Sequence, residues 1–269
     1  MSARLERTKR RRRNRQVLLV VLLVVAAGLV GYGVFRPGAD EPGGDGPRTV
    51  TANLDTEPSA EPAPTKAAPQ QVPADPSKVP TKGSGTFGYA TGKGKVLGTK
   101  GKLRTFKVAV EKGVGASATQ FASRVDAILG DPRSWVAGKN VRLQRVGKST
   151  GGTNFTVYLA SPATSEKMCR EDGLYTEKFT SCRLASGKVI INLARWLTAV
   201  PDYGAPLADY QAYAINHEVG HQLGHGHEGC PAKGRTAPVM QQQTLGLKGC
   251  VANAWPYVDG KRYAGPAIP

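Results

Sequence analysis

The chain has 269 residues, with 37 Lys or Arg against 20 Asp or Glu, and a formal net charge of +17. No recognised nucleic-acid-binding motif accompanies that charge, which points away from DNA and RNA and leaves two readings, anionic lipids or cell-wall polymers as partners or simply a solvated basic surface. No internal repeat is visible, so a solenoid or other array is excluded.

The charge is unevenly spread: +7 over residues 1–15, −3 over Arg36–Pro80 and +13 over Thr81–Pro269. Residues 1–16 read as a basic cytoplasmic tail. Val17–Phe35 then runs nineteen residues without a charge. At about 1.5 Å per residue this covers about 28 Å, enough for a single transmembrane helix over residues 17–35. Positive charge ahead of the span predicts a cytoplasmic N-terminus and an extracytoplasmic remainder at the plasma membrane. A cleaved signal peptide is the rival, because Ala26-Ala27-Gly28 offers small residues. The apolar run continues past them to Phe35, which favours an uncleaved signal-anchor. Arg36–Pro80 holds ten of the nineteen prolines and no apolar periodicity. Residues 36–84 are therefore expected to be a disordered Pro-rich linker. Residues 85–269 are long enough for one domain with a real core.

Within that domain, Leu103–Glu111 alternates apolar and polar residues with one slip of phase and predicts a strand. Ser117-Ala118-Thr119-Gln120 is a capping-box pattern. It opens a helix with Phe121, Val125 and Ile128-Leu129 on one side, ending at Gly130 and Pro132. Val141–Val146, Asn154–Leu159 and Lys188–Leu193 predict three more strands. A long helix is expected from near Pro206, with Ile215, Val219 and Leu223 on its apolar face.

That helix carries the chemistry. All four histidines lie in His217-Glu218-Val219-Gly220-His221-Gln222-Leu223-Gly224-His225-Gly226-His227. His217 and His221 are four apart, so both imidazoles project from one helix face and suit a shared Zn²⁺. Glu218 sits beside that face, placed to reach a water on the metal. Gly224 suits the left-handed conformation that ends a helix, after which His227 can return as the third ligand. His225, two residues earlier, is expected to be exposed or to support a ligand, with a role as third ligand as the alternative.

His-Glu-x-x-His-x-x-Gly-x-x-His resembles the signature of the metzincin zinc peptidases. Pro238-Val239-Met240, thirteen residues after His227, is similar to their Met-turn. The stretch with Cys230, Met240-Gln241-Gln242-Gln243 and Cys250 resembles a secreted actinobacterial family catalogued as a domain of unknown function and regarded as metzincin-like. The resemblance implies an α+β fold: a twisted mixed sheet packed on two helices with a Met-turn. It implies a zinc metallopeptidase in which His217, His221 and His227 hold Zn²⁺, Glu218 is the general base and Met240 forms the Met-turn. Its substrate is then a peptide or protein, bound in extended form against an edge strand, for which Thr180–Leu184 is the candidate. Glu228 resembles the astacin-type residue that braces the Met-turn, with a solvated Glu as the alternative. Some metzincins place a Tyr two residues after the Met; here that position is Gln242, so the role would fall to Tyr257 or Tyr263 folding back. The long C-terminal helix of larger metzincins has no counterpart after Cys250.

Cys169, Cys182, Cys230 and Cys250 all follow the apolar span, so oxidising surroundings favour two disulfides with three possible pairings. Proximity favours Cys169–Cys182 and Cys230–Cys250. Cys230 as a zinc ligand is the weaker alternative, because three histidines already make the usual catalytic set. Two other function classes remain: a non-catalytic, zinc-stabilised wall-binding module, and a zinc amidase acting on peptidoglycan peptides. Glu218 favours the enzyme, since a structural site has no use for it.

Overall fold

Residues 75–268 are described by the computed structural model; the basic tail, the candidate transmembrane helix and the linker up to residue 74 lie outside the described residues. Among the described residues no helix is long and apolar enough to cross a membrane. The strands are β1 (Phe87–Tyr89), β2 (Val96–Leu97), β3 (Lys102–Glu111), β4 (Val141–Arg145), β5 (Phe155–Ala160), β6 (Cys182–Leu184), β7 (Lys188–Asn192), β8 (Tyr257–Val258) and β9 (Lys261–Arg262). The α-helices are α1 (Ala118–Gly130), α2 (Pro162–Cys169), α3 (Leu193–Thr198) and α4 (Leu207–Gln222).

Seven strands form one mixed sheet in the order β2-β4-β3-β5-β7-β6, with β1 also on β3. The central β4-β3-β5-β7 pairings are parallel. β1, β2 and β6 add to them antiparallel. β8 and β9 make a separate hairpin. The expected mixed sheet packed with helices is present, and because strands and helices alternate through β3-α1-β4 and β5-α2-β6-β7 the class is mixed α/β and not the expected α+β.

The main core lies between one sheet face and helices α1 and α4. Phe106, Val108 and Val110 of β3 meet Phe121, Val125, Ile128 and Leu129 of α1 and Ile215 and Val219 of α4 there. The capping box begins α1 as expected: the Ser117 side chain accepts from the Gln120 N–H. A smaller cluster on the reverse face packs Met168 and Cys169 of α2 against Cys182, Leu184 and Ile190. The sheet is therefore covered on both faces near β5 and β7, and not by two helices alone. Leu103, the residue out of phase with Phe106, Val108 and Val110, is exposed, while Ala109 and Glu111 on the opposite face are buried as well.

The fold also begins earlier than the expected linker boundary at residue 84. Asp75 caps a short 3₁₀ turn at Pro76–Lys78, and Val79 is buried. The Thr81 carbonyl accepts from the Ala163 N–H at 3.0 Å. Glu111 receives the Gly85 N–H (2.7 Å), the Ser161 N–H (2.7 Å) and the Thr164 hydroxyl (2.6 Å). Burial raises its pKa, but these donors outweigh that and hold the carboxyl below the usual range. Gly83 has to be glycine-sized, since a Cβ there would run into that carboxyl.

Cys169 is bonded to Cys182 and Cys230 to Cys250, the pairing that proximity favours, so Cys230 has no thiolate for a metal.

Candidate metal centre

Helix α4 presents His217 and His221 one turn apart, and Gly224 at φ +101° turns the chain just after the helix ends. His227 then comes back toward the helix. The three imidazoles offer nitrogens that all lie within 4.8 Å of one another. The Nε2 atoms of His221 and His227 are 3.1 Å apart. Two nitrogens bound to one tetrahedral Zn²⁺ at about 2.0–2.1 Å would be separated by about 3.3 Å.

The tautomers follow from the neighbours. His217 Nδ1 is 2.9 Å from the Val239 carbonyl, and His221 Nδ1 is 2.8 Å from the His225 carbonyl. A carbonyl only accepts, so each Nδ1 carries the proton and each Nε2 keeps its lone pair. His227 Nε2 either donates its proton to His221 Nε2 at 3.1 Å or, in the same tautomer as the other two rings, turns its lone pair toward it, the arrangement a shared cation requires. Burial keeps His217 neutral, with its pKa pushed down to about 3 and lowered further by His221. The donor set therefore fits a divalent, imidazole-binding metal: three neutral rings, two of them fixed in orientation by backbone carbonyls.

His225 is not in the triad. Its ring stacks on Trp135 at 4.3 Å, and its carbonyl orients His221. Glu228 departs from the astacin-type role. Its carboxylate takes Arg262 Nη2 at 2.6 Å and the Gly265 N–H at 3.3 Å, and only its own N–H reaches the Met240 carbonyl, at 3.1 Å. Gly229 N–H to Pro266 O (2.7 Å) and Ile268 N–H to His227 O (3.1 Å) then clamp the C-terminal segment over the backbone of the third histidine.

Met240 is fully buried in a tight turn closed by Gln241 N–H to Pro238 O at 3.0 Å. Its thioether lies against Gly220, where an added Cβ would strike the Met240 sulfur and come within 2.7 Å of Trp135. Gln243 holds the turn from inside, donating to Pro238 O and Asn253 O and accepting from Tyr203 and the Asn253 N–H. Asn216 ties the helix to its surroundings, receiving Ser134 Oγ at 2.7 Å and donating to Ala254 O at 2.9 Å.

Glu218 faces the same cleft as the histidines, a cavity of about 520 Å³. It is 6% exposed and has no hydrogen-bond partner among the described residues. Desolvation pushes its carboxyl up to about 8. A buried, unpaired carboxyl that shares a cleft with three imidazoles able to hold a metal is an arrangement that suits a proton carrier.

Sequence reading did not find Gly220, Tyr213 or Arg183. Gly220 had a signal, since mid-helix glycine costs about 1 kcal/mol and calls for a packing reason. Tyr213 lines the cleft one turn before His217, but its hydroxyl donates to Gln241 O and accepts the Thr244 N–H. Neither Tyr257, against Gly138, nor Tyr263 lines the cleft, whereas Gln242 does. The edge-strand candidate Thr180–Leu184 contains β6, which ends the sheet and contributes to the cleft wall.

The family described as protein of unknown function (DUF3152) matches residues 73–253. The chain belongs to this family. No curated protein and no solved structure matches it. The DUF3152 match opens just before the Asp75 cap and covers all three histidines, Glu218, Met240 and both disulfides. It stops short of Arg262, Gly265 and Ile268, which close the site over His227 and Glu228.

Proposed function

We propose that this protein is a zinc-dependent metallopeptidase of metzincin type, displayed outside the plasma membrane by an N-terminal anchor. The observation that carries the reading is the unpaired, buried carboxylate of Glu218 beside three imidazoles whose nitrogens converge. The turn at Pro238–Gln241, held to His217 through Val239, is consistent with a Met-turn.

His217, His221 and His227 would hold the zinc, which when bound acidifies a water and polarises a carbonyl. Glu218 accepts the proton of the attacking water on a carboxylate oxygen and returns it to the leaving amine. Burial raises its proton affinity, which suits the return step, and a cation held by the three imidazoles would favour the ionised form that the first step needs. Val239 and His225 keep two ligand rings in the tautomer that leaves Nε2 free. Tyr213 and Thr244 line the cleft beside Glu218 and narrow the access of water. The basic run ahead of Val17–Phe35 supports the anchored topology, and the basic domain suits anionic wall polymers as surroundings.

The test pairs two measurements on the purified protein: metal content by elemental analysis, and cleavage of a peptide library by wild type and Glu218→Gln. One zinc per chain with cleavage lost only in the variant supports the reading. A protein that holds zinc and cleaves nothing would be a zinc-stabilised module instead.

A further inference from the structure

The cleft contains one cationic side chain whose donors are largely unspent. Arg183 lies in edge strand β6, opposite Val189 of β7, directly after Cys182. The Cys169–Cys182 disulfide ties that position to the end of α2, so the backbone carrying Arg183 is fixed on two sides. Its Nε donates to Gln222 Oε1 at 3.0 Å, and Gln222 is the residue after the ligand His221. That bond points the guanidinium into the space beside the metal centre while leaving both Nη groups free. No protein group accepts from them, and no carboxylate pairs with Arg183, among the described residues. Glu218 is the one acidic residue lining the cleft, and Arg183 the one Arg or Lys. Four N–H donors in a planar fork, held still by a neighbour and kept from any internal acid, form a receptor for a carboxylate.

We propose that Arg183 binds a substrate carboxylate, so that this protein acts on peptides with a free carboxylate within one or two residues of the scissile bond. This rests on the peptidase reading for the bond cleaved, but the binding role of Arg183 stands on its own geometry. The carboxylate comes either from a peptide C-terminus or from an acidic side chain. In both cases a bidentate pair with Arg183 orients the acyl chain relative to Glu218.

The experiment compares zinc-loaded wild type, Arg183→Gln and Arg183→Lys on three matched peptides. One ends in a free carboxylate, one is amidated but carries Glu, and one is amidated with Gln in place of Glu. Wild type should prefer a carboxylate-bearing peptide at least tenfold in kcat/KM, and which of the first two wins identifies the source. Arg183→Gln should lose that preference, its loss in kcat/KM falling on the two carboxylate-bearing peptides at least tenfold more than on the neutral one, with Arg183→Lys recovering part of it. The same peptides are titrated calorimetrically onto zinc-loaded Glu218→Gln, with and without Arg183→Gln. Carboxylate-dependent, Arg183-dependent binding without cleavage by wild type would overturn the peptidase reading and keep the receptor. Cleavage with no carboxylate preference, an equal loss on all three peptides, or loss of zinc from Arg183→Gln would overturn the receptor and leave the peptidase reading intact.

Discussion

His217 Nδ1 lies 2.9 Å from the carbonyl oxygen of Val239, and this bond joins helix α4 to the turn that buries Met240. The helix supplies two of the three rings, and the turn fixes the tautomer of one of them. Because Val239 sits between Pro238 and Met240 inside the Cys230–Cys250 loop, a metal held by His217 would be physically coupled to the packing of that loop.

Metal binding should therefore register as stability. The folded protein is expected to carry one zinc per chain and to lose it on His221→Ala or His227→Ala. At a free metal concentration a thousandfold above Kd, the bound form gains about 4 kcal/mol over the stripped form. Calorimetric melts with and without a chelator check this. Identical melting temperatures would show that the three rings do not hold a metal.

Glu218→Gln should keep fold and metal, since no protein group depends on this carboxylate for a hydrogen bond. Peptide hydrolysis is expected to fall by roughly 10²–10⁴-fold, the usual value of a positioned proton carrier. Full activity in the variant would move the base elsewhere.

Gly220→Ala is a packing test. The added methyl meets the Met240 sulfur and the Trp135 ring, so α4 or the turn must shift. Overpacking of this kind costs about 1–3 kcal/mol. Denaturant titration should show that loss, and Met240→Ala in the same chain should relieve part of the clash. A neutral Gly220→Ala would mean that the turn is loose.

The long elements and the triad were legible in the sequence because their signals are local. Periodicity marked β3, α1, β4, β5, β7 and α4, and four-residue spacing put His217 and His221 on one face. The two- and three-residue strands β1, β2 and β6 are too short to show a period. Helix α2 has only a Ser161-Pro162 start to announce it, and α3 follows β7 without a break, with Asn192 capping the Ala194 N–H. Arg183 carried no signal as a site residue, and the mid-helix Gly220 signalled only a packing reason, because their partners, Gln222 and Met240, lie 39 and 20 positions away. Glu228 misled because its carboxylate turned to Arg262, a pairing that only the returning C-terminal segment creates.

Acid should loosen the cleft wall through Glu166. This buried carboxylate receives the Thr176 hydroxyl and Arg170 Nε, together with the N–H groups of Thr176 and Lys178. The Thr176 hydroxyl and Arg170 contribute most and outweigh burial, bringing its pKa down to about 2. An unfolded Glu titrates near 4.3, so the folded value is depressed. The stabilisation is thus complete above about pH 4.3 and is lost as pH falls toward 2. Glu166→Gln should be less stable than wild type at pH 7 by about 1–3 kcal/mol, with the gap closing between pH 4 and 2. Parallel curves over that window would deny Glu166 the role.

Reduction should reach the metal before it reaches the core. Cys230 lies three residues after His227, and its bridge to Cys250 closes the loop that contains Val239 and Met240. Opening a loop of this length removes about 3 kcal/mol of constraint. What remains around the turn includes the Gln243 and Asn253 network, the Glu228 N–H to Met240 O and Tyr213 hydroxyl to Gln241 O bonds, and the short pairing of Thr236 with Val251. The sheet and α1 share none of those bonds, so they should stay folded while the turn loosens and Val239 releases His217. In the Cys230→Ser, Cys250→Ser double variant, zinc should dissociate at a denaturant concentration at which the far-ultraviolet dichroism is still native. If zinc and secondary structure are instead lost together, the hydrogen bonds around the turn hold it without the bridge, which then contributes only to global stability.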